Sequence, residues 1–295
     1  MYTRVLTPFT ASDGENLALY SWQPDDSAKQ LSRQGVQTRA VVLIVHGLGE
    51  HAGRYDHVAH ALRNWGFEVR AYDQRGHGES GGKPGALPSN MALLDDLAEV
   101  VDDTREHYTS LPELPLILLG HSMGGLVASR FVSLRIRPVN ALVLSSPALD
   151  AGLGSFQKLL LKLLPRVAPN LCVSNGLDAN FISHDREVVK AYLADRLVHN
   201  KISPRLGQFI ATQGPATVAS AASWRTPTLL MYAGADQLVN PAGSDQFAKL
   251  ASTSQAVKPG TVTAKRFDGY YHELFNELEA APVFEWLKCW LDARF

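Results

Sequence analysis

The stretch from Leu114 to Val132 constrains this chain more than any other. Leu114-Pro115-Leu116-Ile117-Leu118-Leu119 is a short apolar run that reads as a fully buried strand, and Gly125 to Val132 carries apolar residues at helical spacing. Between them stands Gly120-His121-Ser122-Met123-Gly124. A G-x-S-x-G on a sharp strand-to-helix turn lifts a serine hydroxyl clear of a sheet, where a base and a carbonyl can reach it. Glycines flank such a serine because the turn is strained and the helix must pack close to neighbouring strands. The pattern points to acyl transfer.

The chain contains its own control. Gly78-Glu79-Ser80-Gly81-Gly82 matches the same pattern, but it runs on into Lys83-Pro84-Gly85, a glycine- and proline-rich loop with no helix behind it. Ser122 has the strand and the helix; Ser80 has neither. Context selects Ser122.

Around this element, strands and helices alternate. Arg4–Phe9 and Leu17–Trp22 form an antiparallel opening hairpin about Asp13-Gly14, and the polar stretch Asp25–Thr38 reads as a loop. Strands follow at 40–45, 67–72, 116–119, 141–144, 228–232 and 261–267. Helices are expected at 54–65, 91–108, 123–134, 243–250 and 281–293. This predicts an α/β protein with a mostly parallel central sheet of about eight strands flanked by helices. Between Leu144 and Thr228 no strand is evident. Gln157–Leu164 and Glu187–Leu197 look helical there, separated by Pro165, Pro169 and Asn175-Gly176. A structureless loop of that length is improbable. A helical cap fits better, inserted over the carboxyl ends of the strands where open α/β sheets bind ligands. Residues 1–147 and 223–295 are the expected core, and 148–222 the cap.

With 28 Lys and Arg against 29 Asp and Glu, the net charge is −1, and no basic run is present to hold nucleic acid. The amino terminus lacks the apolar core of a signal peptide, and no run approaches the roughly 18 apolar residues of a membrane span. A cytoplasmic protein is expected, with Cys172 and Cys289 as reduced core thiols. Oligomeric state is left open.

A serine hydroxyl is a weak nucleophile until a histidine takes its proton, and that histidine needs an acid to orient it. In sheets of this kind the chain order is Ser, then Asp or Glu, then His, with acid and base after the last strands. His272 follows the final strand and Asp236 the penultimate one, so Ser122, Asp236 and His272 form the candidate triad. Asp245 and Asp268 remain alternatives for the acid. Two backbone donors are needed for an oxyanion: Met123, after the serine, and Leu48, in the glycine-rich loop His46-Gly47-Leu48-Gly49. No cofactor or metal is required. His57 and His60, three apart on a helix, read as surface histidines rather than ligands, and His121 as packing. Asp73, Arg75 and His77 read as a network supporting the site entrance.

Four segments together resemble the α/β-hydrolase superfamily, and within it the monoacylglycerol lipase and lysophospholipase-like group. They are His46-Gly47-Leu48-Gly49-Glu50-His51, Asp73-Gln74-Arg75-Gly76-His77-Gly78-Glu79-Ser80, Gly120-His121-Ser122-Met123-Gly124-Gly125 and Tyr271-His272-Glu273. The resemblance implies the α/β-hydrolase fold and hydrolysis of a small lipid ester with one acyl chain beneath a helical cap. It also implies substrate contacts on the glycerol side from Glu50 and Tyr192. Arg196 stands where that group usually has proline, which bears on the shape of the cap. A thioesterase, a proline-type aminopeptidase and a non-catalytic ligand-binding protein are the alternatives on the same fold. The leucine-rich stripe Leu159–Leu164 could pack the cap, line an acyl tunnel or touch a membrane surface transiently.

Overall fold

The computed structural model describes residues 2–24, 38–111, 113–152 and 154–295. All but the last residue of the loop read at Asp25–Thr38 lies outside them. The hairpin strands β1 (Tyr2–Thr10) and β2 (Asn16–Pro24) pair antiparallel. Next come β3 (Val41–Val45), α1 (Asp56–Asn64), β4 (Glu68–Tyr72), α2 (Ala92–His107), β5 (Leu116–His121), α3 (Ser122–Ser133) and β6 (Ala141–Ser145). An insertion then carries α4 (Ser155–Val167), a two-residue strand β7 (Val173–Ser174), α5 (Arg186–Ala194), β8 (Lys201–Ile202) and α6 (Pro204–Ser220). The chain closes with β9 (Thr228–Ala233), α7 (Ala242–Thr253), β10 (Val262–Phe267) and α8 (Ala281–Asp292).

Eight strands form one sheet in the order β1-β2-β4-β3-β5-β6-β9-β10, parallel from β4 onward. The central strands are apolar throughout because helices cover both faces. Val41, Leu43 and Val45 face α2, α3, α6 and α7, while Val42 and Ile44 face α1 and α8. The winding reverses at β3. From β3 the chain steps to β4 on one side, then returns across β3 to β5 on the other. Loops leaving β3 and β5 therefore diverge, and a crevice opens between them at the carboxyl ends of the strands.

Three features of the insertion differ from the sequence reading. Helix α4 continues through Pro165 to Val167, because a proline in the final turn interrupts little of the hydrogen-bond ladder. The β7–β8 pair is too short to leave any alternation. Helix α6 carries Gly207, Gly214 and Pro215, which obscure its periodicity. Its Ser203 side chain caps Leu206 N–H and Pro204 sits in its first turn, the signals that mark its start. Packing holds α6 in place: Leu206, Phe209 and Val218 join the core cluster that contains Leu126 and Phe131 of α3. Neither cysteine is a core residue; Cys172 is partly exposed and Cys289 exposed, and both are free thiols.

Candidate active site

Ser122 sits at the tip of the β5–α3 turn with φ +52°, a left-handed conformation that costs strain in a residue with a Cβ. Close packing enforces it. A Cβ on Gly120 would lie 2.6 Å from the Gly124 carbonyl oxygen, and one on Gly124 would collide with the carbonyl oxygens of Val45 and His46. Helix α3 is thus pressed against the end of β3, and its first N–H groups, Met123 among them, lie at a helix terminus favourable to negative charge. Ser80 is occupied elsewhere: its hydroxyl donates to Asp73 O at 2.5 Å and accepts from Ala18 N–H at 2.8 Å.

Asp236 and His272 come together beyond β9 and β10. His272 Nδ1 donates to Asp236 Oδ2 at 2.6 Å, while Asp236 Oδ1 accepts the Leu238 and Val239 N–H groups at 2.8 and 3.0 Å. Burial resists a charged His272, but the adjoining Asp236 carboxylate overcomes it and raises the imidazole above its ordinary value of 6.5. Burial likewise opposes ionised Asp236, and His272 with the two amides overcomes that, lowering its pKa. Protonated His272 therefore adds stability that is complete below pH 6.5 and lost as pH rises through the raised value. Base work needs the other, deprotonated form. Asp245 and Asp268 are committed to Arg266, and Asp245 also to Tyr232, so neither serves His272.

The loop after β3 passes directly beneath the serine: a Cβ on Gly47 would stand 3.1 Å from Ser122 Cβ. His46 anchors it. Its Nε2 accepts from Gln74 N–H at 2.8 Å, so Nδ1 carries the proton donated to Gly47 O at 2.8 Å, and burial keeps the ring neutral. Two cavities meet at this point, and Leu48 and Ser122 line both. One, about 600 Å³, also takes in Glu50, Tyr192, Asp195, His272 and Glu273. The other, about 320 Å³, is walled by Met123, Leu160, Leu161, Leu164, Gly207 and Ile210.

Glu50 and Tyr192, expected as substrate contacts, both line the larger cavity, and nothing in the sequence signals the bonds Glu50 makes there. Its Oε1 accepts from Gly47 N–H (2.5 Å) and Tyr55 O–H (2.7 Å), and its Oε2 from Arg54 (2.7 Å). Burial opposes the charge, but Arg54 and neighbouring histidines hold Glu50 down at about 2. The ring of Tyr192 lies over the Arg54 guanidinium at 4.7 Å, and its burial pushes the phenol up to about 12. His121 is buried, as packing predicts, but it also lines the larger cavity with its ring centroid 4.7 Å from that of His272. Burial, then the nearby His272, lowers it to about 4. Asp73 accepts from Ala52 N–H and Tyr20 O–H, while Arg75 pairs with Asp96 and His77 Nδ1 donates to the Arg75 carbonyl. His57 and His60 each place Nε2 on a backbone carbonyl, of Phe275 and Tyr2.

The insertion touches both loops of the site. Ile182 O accepts Glu273 N–H at 2.8 Å, Gly49 O accepts His199 N–H at 2.9 Å, and Asp195 pairs with His51 at 2.8 Å. These contacts join residues far apart in sequence, 144 positions for His51 and Asp195, and carry no local signal.

A reversed parallel sheet with a strained serine at its crevice defines the class: an α/β hydrolase. The family model described as "Serine aminopeptidase, S33" matches residues 36–279. A monoacylglycerol lipase of Mycolicibacterium smegmatis is 34% identical over 98% of this chain and 97% of its own length. Phospholipase YtpA of Bacillus subtilis is 33% identical over 86% of this chain and 95% of its own. The crystal structure of Paleococcus ferrophilus monoacylglycerol lipase superposes with a TM-score of 0.77 at 30% identity, covering 99% of both chains. The chain belongs to this family and, among the α/β hydrolases, to the monoacylglycerol lipase-like group.

Proposed function

We propose that this protein hydrolyses carboxylic esters bearing a single acyl chain, with monoacylglycerols as the preferred class, by a serine mechanism. One observation carries the reading: Ser122 and Leu48 stand where an apolar cavity meets a larger and more polar one, as suits an ester with one chain and one headgroup. Ser122 attacks the ester carbonyl while His272, oriented by Asp236, takes the hydroxyl proton. The Met123 and Leu48 N–H groups hold the oxyanion. Collapse expels the alcohol, protonated by His272, and leaves an acyl-Ser122 ester. Water, deprotonated by His272, then attacks the acyl carbonyl; the bond to Ser122 Oγ breaks, His272 returns the proton to that oxygen, and the fatty acid leaves.

Headgroup preference follows from charge. Glu50, Glu273, Asp178 and Asp195 line the larger cavity, a poor setting for an anionic phosphate and an acceptable one for neutral glycerol. Glu50 and Glu273 are both paired with Arg54, so neither offers an unpaired carboxylate to a peptide's terminal ammonium. Residues 148–222 act as the cap, and the smaller cavity beneath α4 and α6 takes the acyl chain.

A substrate panel tests this. Monoacylglycerols should be turned over at least about tenfold faster than lysophospholipids of equal chain length, and peptide amides negligibly. A Cβ on Gly207 would already stand 3.0 Å from Leu161 Cδ2 in the apolar cavity. Gly207→Leu should therefore cut kcat/KM for the longest accepted chains about 10- to 100-fold and spare short ones. Equal losses at every length would refute the acyl assignment.

The cap also carries Leu159, Leu163, Val167 and Leu171, each more than half exposed, beside Lys162 and Arg166. No described helix is long and apolar enough to span a bilayer. This patch instead docks transiently on a lipid surface. Leu163→Ser with Val167→Ser should lower turnover of substrate in anionic vesicles several-fold and leave a water-soluble short-chain ester unaffected; an equal effect on both would exclude docking.

A further inference from the structure

An ion cluster lies buried between the two loops of the site, and the steps above do not use it. Arg54, its side chain only 10% exposed, donates Nη1 to Glu50 Oε2 at 2.7 Å and grips Glu273 with both prongs, at 2.6 and 2.7 Å. Glu50 is tied to the Gly47 N–H of the oxyanion loop, and Glu273 is the chain neighbour of His272. Asn276 Nδ2 gives Glu273 Oε2 a further bond at 2.8 Å, and Tyr192 closes over the guanidinium from the cap. The cluster thus runs from the Gly47 N–H to Glu273, and its Arg54–Glu273 pair joins residues 219 apart in sequence.

We propose that Arg54 is a positioning residue, whose forked grip on Glu273 and bond to Glu50 hold the base loop and the oxyanion loop in register for acyl transfer. The proposal rests on the Ser122–His272 reading. Its physical basis is that neither loop is set by regular structure at these residues, whereas a planar guanidinium fixes both distance and orientation of a carboxylate. Lysine would keep the charge and lose the fork. Small errors in the placement of reacting groups are expensive: a displacement of about 1 Å can cost on the order of 100-fold in rate.

Charge supplies an independent readout. Asp236, Glu273 and Glu50 surround His272 with negative charge, His121 packs on its ring, and Arg54 offsets the carboxylates. Arg54 itself faces Glu50, Glu273, Tyr55, His57, His121 and Tyr192. Burial disfavours charged His272, and after Asp236 the next influences raising its pKa are Glu273 and Glu50. Catalysis needs the neutral ring, so kcat/KM should rise with pH through a midpoint above 6.5. Neutralising Glu273 should move that midpoint down, and removing the Arg54 charge should move it up.

The test compares Arg54→Lys, Arg54→Met and Glu273→Gln in the full chain on a soluble monoacyl ester, with kcat, KM, pH profiles and melting curves. Arg54→Lys should lose about 10- to 100-fold in kcat with KM within about threefold and the acid midpoint unmoved, because the fork is lost and the charge kept. Glu273→Gln should shift the midpoint to lower pH, and Arg54→Met to higher pH. Should Arg54→Met fail to fold, the other two still decide. An Arg54→Lys enzyme with wild-type kcat overturns the clamp, and so does one whose KM rises at constant kcat, since Arg54 would then act on the headgroup. Turnover retained by Ser122→Ala would instead overturn the serine mechanism beneath it.

Discussion

Ser122→Ala is expected to lower kcat on a monoacyl ester by at least about 10⁴-fold and to abolish covalent labelling by a fluorophosphonate. The loss should be purely chemical. The hydroxyl is removed, while alanine keeps the Cβ that already tolerates φ +52° at the turn and the glycine contacts that hold it there. Melting temperature should therefore stay near that of the parent chain. His272 and Asp236 retain their 2.6 Å hydrogen bond, so the residual rate measures what the proposed oxyanion donors and binding achieve alone. A loss smaller than tenfold, or an adduct that persists at another residue, would end the assignment of Ser122 as nucleophile and return Ser80 and other hydroxyls to consideration.

Gly124→Ala should have the second largest effect, through stability. The added methyl would be driven into the carbonyl oxygens of Val45 and His46, which belong to the end of β3 and the start of the loop that carries Leu48. Side chains can rotate away from such a clash; backbone at the centre of an eight-stranded sheet cannot. We expect a destabilisation of about 3 kcal/mol or more, seen as a fall in melting temperature of roughly 10 °C. Any folded fraction should have impaired turnover, because relief requires α3 to move away from β3 and so separates Met123 from Leu48. Parent-like melting and activity would show that the elbow does not depend on this approach. By contrast, Gly14, with nothing near its Cβ position, is exchangeable for steric purposes and limited only by its φ of +88°.

The sheet was legible because its strands are buried on both faces. Val41-Val42-Leu43-Ile44-Val45 and Leu116-Ile117-Leu118-Leu119 are continuous apolar runs of strand length, and their ends fell within a residue or two of those expected. Helix α2 was legible for the complementary reason, its buried Leu93, Leu94, Leu97, Val100, Val101 and Thr104 recurring at helical spacing. The residues proposed as triad and oxyanion donors could be picked from the sequence because each follows a strand in a fixed order.

The insertion was less legible. Helix α6 derives its stability from packing against α3, so tertiary burial outweighs its two glycines and internal proline. The leucine stripe shows the same limit. Leu160, Leu161 and Leu164 turn toward the apolar cavity, whereas Leu159 and Leu163 are more than half exposed, and an apolar run alone does not distinguish the two faces. Cys289 reads as a core thiol from its residue type and lies exposed on α8.

Local order along the chain thus determined the class of fold, the strained serine and the order in which Ser122, Asp236 and His272 arrive, since strand burial and turn geometry are written in neighbouring residues. The tertiary structure decided which carboxylates are free and which are bound. Glu50, expected as a headgroup contact, is shown only by the fold to hold Arg54, Tyr55 and the Gly47 amide as well. Glu273 reads as the residue after a histidine until the guanidinium from 219 positions earlier grips it. Spacing along the chain says nothing of such pairs. Their geometry and energy arise only when folding brings the loops after β3 and β10 into contact at the carboxyl ends of the strands.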